Sequence, residues 1–214
     1  MAYLLLASIA ALCVPFVVSA LERGRKVRRA QEETAGELGL EFVAPLARSR
    51  LNGVAGRLKG SFDGVQVEVE WASGGGGEGE GPPFHSTRVV AHGVPDGIAI
   101  GRQLQTSIER AVRRIVKGRG ERTGNREFDY RFHVTADAAD SLAISRPGRC
   151  EPIEKILERL GACVSVRNGS AQMEFYAPDE LPVTGETKLS LQSLASLVHA
   201  LVAARNERIP RLLE

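Results

Sequence analysis

No charged side chain occurs between Ala2 and Leu21, and Arg23, Arg25, Lys26, Arg28 and Arg29 follow within the next eight positions. Twenty residues at about 1.5 Å each make a helix of roughly 30 Å, the thickness of a bilayer's hydrocarbon core. The run therefore predicts a single transmembrane anchor over residues 1–21, in contact with lipid through residues 2–21. Positive flanks stay on the cytoplasmic side, so the N-terminus is expected outside and the domain that follows in the cytosol. A cleavable signal peptide instead carries its charge ahead of the apolar stretch and ends in small residues. Val18, Ser19 and Ala20 satisfy the second condition, and cleavage near Ala20 with export is the competing reading. Cys13 follows Leu12, where a lipoprotein signal has a small residue, and reads as a cysteine in an apolar helix.

The chain carries a formal charge of +2, but residues 1–30 hold five basic side chains against one acidic, so the remainder is slightly acidic. Its basic excess belongs to the membrane flank, which removes the main support for nucleic-acid binding. Of the 28 basic residues 23 are Arg, and with abundant Ala, Gly and Val this composition points to a GC-rich bacterial genome and so to the inner membrane. The three cysteines, Cys13, Cys150 and Cys163, have no metal-ligand spacing. In a cytosol the last two stay reduced, whereas export would let them pair.

Residues 22–39 are charged, rich in helix formers and poor in apolar side chains, which predicts a solvated helical stalk stopped by Gly39. Val65, Val67, Val69 and Trp71 then alternate with Gln66, Glu68 and Glu70, the pattern of a half-buried strand. It pairs as a hairpin with Gly53–Gly60 through Phe62, Asp63 and Gly64. Ser73 to Pro83 is glycine-rich but carries Glu78 and Glu80 and no Gly-Lys-Ser/Thr, so a hairpin connection is expected rather than a phosphate loop. Short strands follow at Thr87–Ala91 and Gly97–Ile100, separated by a turn at Pro95, Asp96 and Gly97. Leu104, Ile108, Ala111, Val112, Ile115 and Val116 recur at helical spacing and predict an amphipathic helix over Gln103–Lys117.

In the second half Phe128, Tyr130, Phe132 and Val134 alternate with polar residues and predict a strand, followed by a short helix over Ala138–Ala143. Pro152 marks the first turn of a helix carrying Ile153, Ile156, Leu157 and Leu160. Cys163–Val166 and Ala171–Tyr176 form a hairpin around Asn168 and Gly169, the dipeptide suited to a type I′ turn. A last helix is expected from about Ser190 to Arg205. The fold class is α+β, with a transmembrane helix and then antiparallel sheets packed with helices in two similar layers. The units are 40–122, a first sheet plus amphipathic helix, and 123–214, a second α+β unit ending in a helix.

The phrase Thr123, Gly124, Asn125, Arg126, Glu127, Phe128, Asp129, then Phe132 and Val134, followed by a helix and a hairpin, resembles an arrangement in uncharacterised bacterial membrane-anchored proteins. Those proteins share an N-terminal hydrophobic segment and a two-part α+β soluble region. The resemblance implies that architecture and no catalytic residues.

No constellation of chemistry emerges from the spacing. His85, His92, His133 and His199 lack the i, i+2 or i, i+4 separations of a metal site, and no metal or cofactor is expected. The pairs Asp137 with Asp140 and Asp179 with Glu180 stand where acidic residues cap helices or turns. Ser141 and Cys150 have no identifiable base. Arg110, Arg113, Arg114 and Lys117 form one basic helix face that could lie on anionic lipid. The expectation is a non-enzymatic interaction or scaffold domain on the cytoplasmic face of a bacterial membrane, holding a protein partner and no nucleic acid. Two alternatives stand beside it: an enzyme or small-molecule-binding domain with a dispersed site, around Asp129 and His133, and an anionic-lipid-binding module.

Overall fold

The alternation that starts at Val65 organises the largest layer of the molecule. The computed structural model describes residues 18–19, 22, 25–45, 54–74, 84–102, 126–136, 140, 143–144, 146, 150–160, 164–177 and 184–206. Among them, helix α1 spans 25–38 and strands β1 to β5 are Glu41–Val43, Val54–Phe62, Val65–Gly74, Phe84–His92 and Ala99–Arg102. Helix α2 (Arg126–Arg131), strand β6 (Phe132–Thr135), helix α3 (Cys150–Leu160), strands β7 (Val164–Arg167) and β8 (Ser170–Ala177) and helix α4 (Thr184–Asn206) complete the order.

All eight strands belong to one antiparallel sheet in the order β1-β2-β3-β4-β8-β7-β5-β6. The expectation of two similar layers is corrected by this topology, because β8 pairs with β4 over eight positions and joins both halves edge to edge. Each half on its own would leave a long strand edge unpaired, and pairing removes both edges at once. Strand β5, close in sequence to β4, pairs with β6 and β7 instead.

One face of the sheet is apolar. Leu58, Val69, Val89, Met173 and Val164 form one row across five strands, and Val67, Ala91, Ala171, Val166, Ile100 and Val134 form the next. Helix α4 lies along this face, with Leu191, Leu194, Leu197 and Leu201 fully buried, each worth roughly 2 kcal/mol of transfer free energy. The opposite face is polar. Lys59 bonds Glu68 at 2.9 Å, Arg57 and Arg88 flank Glu70 at 4.0 and 3.8 Å, and Arg88 Nη2 donates to Gln172 Oε1 at 2.8 Å. The Arg88–Gln172 bond crosses the β4–β8 junction, and Gln172 Nε2 then donates to Ser165 Oγ at 2.9 Å, carrying the ladder on to β7.

Both two-residue hairpins form as their sequences predict. Asp63 and Gly64 have φ of 51° and 76°, Asn168 and Gly169 of 51° and 72°, the paired positive values of type I′ turns. Helix α1 ends at Gly39 (φ 67°), where Leu40 N–H donates to Ala35 O at 2.9 Å and Gly39 N–H to Gly36 O at 3.3 Å, a Schellman motif.

Three further expectations are corrected. The stalk is not solvated all round, since Gln31, Thr34, Ala35 and Leu38 recur at helical spacing and are buried in the domain. Phe128 and Tyr130 lie on α2, and only Phe132 and Val134 lie on a strand. Positions 128 and 132 are i, i+4 as well as even-spaced, so their alternation fits a helix equally well. The rings of Phe128 and Phe132 meet in a tilted arrangement, 5.1 Å between centroids and 41° between planes, and Tyr130, 74% exposed, points away. Helix α4 begins six residues ahead of Ser190, because its first turns carry polar side chains that break the apolar pattern.

Among the described residues no helix is long and apolar enough to cross a membrane. The expected anchor over 1–21 falls almost wholly outside the described residues, as do the amphipathic helix over 103–117 and most of the glycine-rich run.

Candidate functional site

Helix α3 packs on α4 and α4 packs on β8, and a recess lined by all three elements is left incompletely filled. Ile153, Leu157 and Leu160 turn the apolar side of α3 inward. Helix α4 brings Ser190 and Ser193 beside Arg159 and Leu160 of α3. The small serines leave a cavity of about 440 Å³ that has Leu160, Met173 and Phe175 among its lining residues. Leu189 of α4 and Tyr176 of β8 also line it, and they are 60% and 61% exposed, so the cavity is a groove open to solvent. Its volume lies within the usual range for ligand sites.

The polar groups of the groove are few. Arg159, on the last turn of α3, donates from Nη2 to Ser193 Oγ at 2.5 Å, and Ser193 Oγ donates to Leu189 O at 2.7 Å. The serine thus fixes the guanidinium at the edge of an apolar surface. Glu186, on the first turn of α4, supplies a carboxylate to the same lining. Ser193 is engaged with a cation and a carbonyl, and the described lining offers apolar surface with one guanidinium and one carboxylate at its edge.

The residues singled out by sequence lie elsewhere. Arg110, Arg113, Arg114 and Lys117 are outside the described residues. Asp129 lies on α2 and His133 on β6, the last strand in the sheet order, with His133 Nε2 3.5 Å from Thr135 Oγ1. His92 sits on the polar face 3.9 Å from Glu68, and His199 is exposed on α4. Asp140 does not stand alone as a cap: it is 3% exposed and lies 3.9 Å from Arg205 Nε, whose Nη1 donates to Asp96 O at 3.0 Å. Ser141, Asp137, Asp179 and Glu180 are outside the described residues. Among those described, no group of three or more His, Cys, Asp or Glu side chains could hold a metal ion.

The groove residues carried one legible signal. Leu189 falls off the apolar stripe of Leu191, Leu194, Val198 and Leu201, an exposed leucine beside polar neighbours. The others needed the third dimension, because β8 and the two helices meet only through packing. No family model, no curated protein and no solved structure matches the chain.

Proposed function

We propose that this protein is a membrane-tethered interaction domain of the bacterial inner membrane, and that the groove between α3, α4 and β8 receives an apolar segment of a protein partner. The observation that carries the reading is the position of Leu189 and Tyr176. Of the large hydrophobic side chains exposed among the described residues, these two come from separate elements and line the same groove. Tyr176 and Arg159 are of the residue types enriched in binding hot spots, and Leu189 adds exposed apolar surface beside them. The apolar run over 2–21 and its basic collar support tethering, with the domain on the cytoplasmic side.

Two experiments test the two halves of this proposal. A photo-crosslinking residue placed at Leu189 in the full chain, expressed in its membrane, is expected to capture a discrete partner. The same probe at Arg88, on the polar sheet face, is expected to give none; equal capture at both sites would overturn the groove. For the tether, a cysteine in place of Asp63, at the exposed hairpin tip, should react with an impermeant reagent only after the membrane is opened. Labelling of intact cells would reverse the orientation.

A further inference from the structure

Two opposite charges stand at the two ends of the groove face of α4. Glu186, Leu189, Ser190 and Ser193 line the recess at i, i+3, i+4 and i+7, so they share one side of the helix. Seven residues at about 1.5 Å each set Glu186 and Ser193 roughly 10 Å apart along the axis. The Arg159 guanidinium is held at the Ser193 end by its 2.5 Å bond to Oγ. Along α4 the face therefore runs from an acid, past an exposed leucine, to a cation. Among the described residues neither Glu186 nor Arg159 enters an ion pair, and Glu158, next to Arg159 in the chain, is taken by Arg131.

The helix ends account for the sign of each charge. Glu186 lies in the first turn of α4 and Arg159 in the last turn of α3, and a carboxylate suits the positive end of a helix dipole as a cation suits the negative end. They do not account for the meeting of both on one apolar recess. A guanidinium has five N–H donors, and the contact with Ser193 uses one of them. The two formal charges cancel, so an occupant of a single sign would satisfy one end of the face and be repelled at the other.

We propose, resting on the reading of this groove as a site for a protein partner, that its occupant is an amphipathic helix laid along α4, with one basic and one acidic side chain seven positions apart and apolar side chains between them. Helices lying side by side have the same rise, so side chains seven apart on the occupant span the same 10 Å or so as Glu186 and Ser193. The basic group meets Glu186, and the acidic group accepts from the N–H donors of Arg159 that Ser193 leaves unused. The apolar side chains enter the recess beside Leu189, the usual arrangement of a helix in a groove. Arg159 and Glu186 then decide which helix is accepted, and Leu189 supplies apolar contact to any of them.

The test uses the full chain in lipid nanodiscs and three fluorescently labelled, end-capped alanine-based peptides. Each has leucines at the third and fourth positions of a seven-residue spacing that is bounded by lysine and glutamate, by two lysines or by two glutamates. In anisotropy titrations the mixed peptide is expected to bind about fivefold more tightly than either of the others. Arg159→Glu should move the preference to the doubly basic peptide, and Glu186→Lys to the doubly acidic one. A wild-type ranking that follows peptide net charge, with the mixed peptide between the other two, would overturn the proposal without any variant. Equal affinity for all three, lost in Leu189→Asp, would overturn the charge pattern and leave the groove standing. Failure of all three to bind, or binding unmoved by Leu189→Asp, would sink the groove itself.

Discussion

Thr34 on α1 and Thr184 at the start of α4 meet through their hydroxyls at 2.9 Å, although 150 positions separate them. Thr34 Oγ1 also lies 2.8 Å from Ala30 O, to which it donates, so the shared proton comes from Thr184. This contact docks the helix that follows the basic collar onto the helix that covers the sheet. Thr34→Val removes the acceptor and is expected to lower stability by about 0.5–1.5 kcal/mol. Thr34→Ser should recover most of the loss. Urea unfolding of wild type, both single variants and the pair with Thr184→Val measures it, and the pair should cost little more than either Val variant alone.

The buried face of α1 fixes where the chain can be shortened. A chain beginning at Arg25 keeps Gln31, Thr34, Ala35 and Leu38 in place and should unfold cooperatively while leaving the membrane fraction. One beginning at Gly39 uncovers Leu40 and the apolar edge near Phe42 and is expected to lose several kcal/mol, following the apolar area exposed. Membrane sedimentation and thermal melting of the two chains read both outcomes. Retention of the Arg25 chain on membranes after a high-salt wash would contradict the tether.

Phe128 is fully buried against Phe132 and Tyr130 is exposed, as α2 requires and a continuous strand would forbid. Phe128→Ala is therefore expected to cost about 3–5 kcal/mol, and Tyr130→Ala less than about 0.5 kcal/mol. Similar losses from both variants in denaturant titration would restore the strand.

Gly169 stands at φ 72° in the β7–β8 hairpin, and its carbonyl accepts the N–H groups of Gly93 and Val94, each at 3.0 Å. A side chain there carries the left-handed penalty, so Gly169→Ala should destabilise by about 1–2 kcal/mol. Asn168→Gly should be nearly neutral, since it relieves the same backbone region. Chemical denaturation of the two variants checks the contrast.

Leu189 is 60% exposed, and Leu189→Asp should leave stability within about 0.5 kcal/mol of wild type. If the groove binds an apolar partner segment, the same substitution should abolish crosslinking from a probe at Tyr176. Loss of capture together with unchanged unfolding separates binding from folding.

Local chemistry explains which elements were legible. Asp63-Gly64 and Asn168-Gly169 specify their turns because few dipeptides tolerate two successive positive φ values. Val65 to Trp71 alternates cleanly because one face of β3 packs on the core and the other carries Glu68 and Glu70 into solvent. Where one pattern serves two geometries the reading failed: Phe128 and Phe132 satisfy period 2 and i, i+4 together. Thr187 and Ser190 hid the start of α4, because polar side chains buried by tertiary packing carry no hydrophobic signal.

The sequence by itself determined the two hairpins, the helical stop at Gly39, the apolar face of α3 and the separation of a basic collar from a slightly acidic remainder. Each depends on groups within a few positions of one another. Only the tertiary structure decided that the two halves share one sheet, that Gln31 and Thr34 are interior, and that Arg159, Tyr176 and Leu189 line a common groove. Those relationships arise where β4 meets β8 and where α1 and α4 cover the sheet. Such contacts are selected by the joint burial of surfaces far apart in the chain, which no local spacing records.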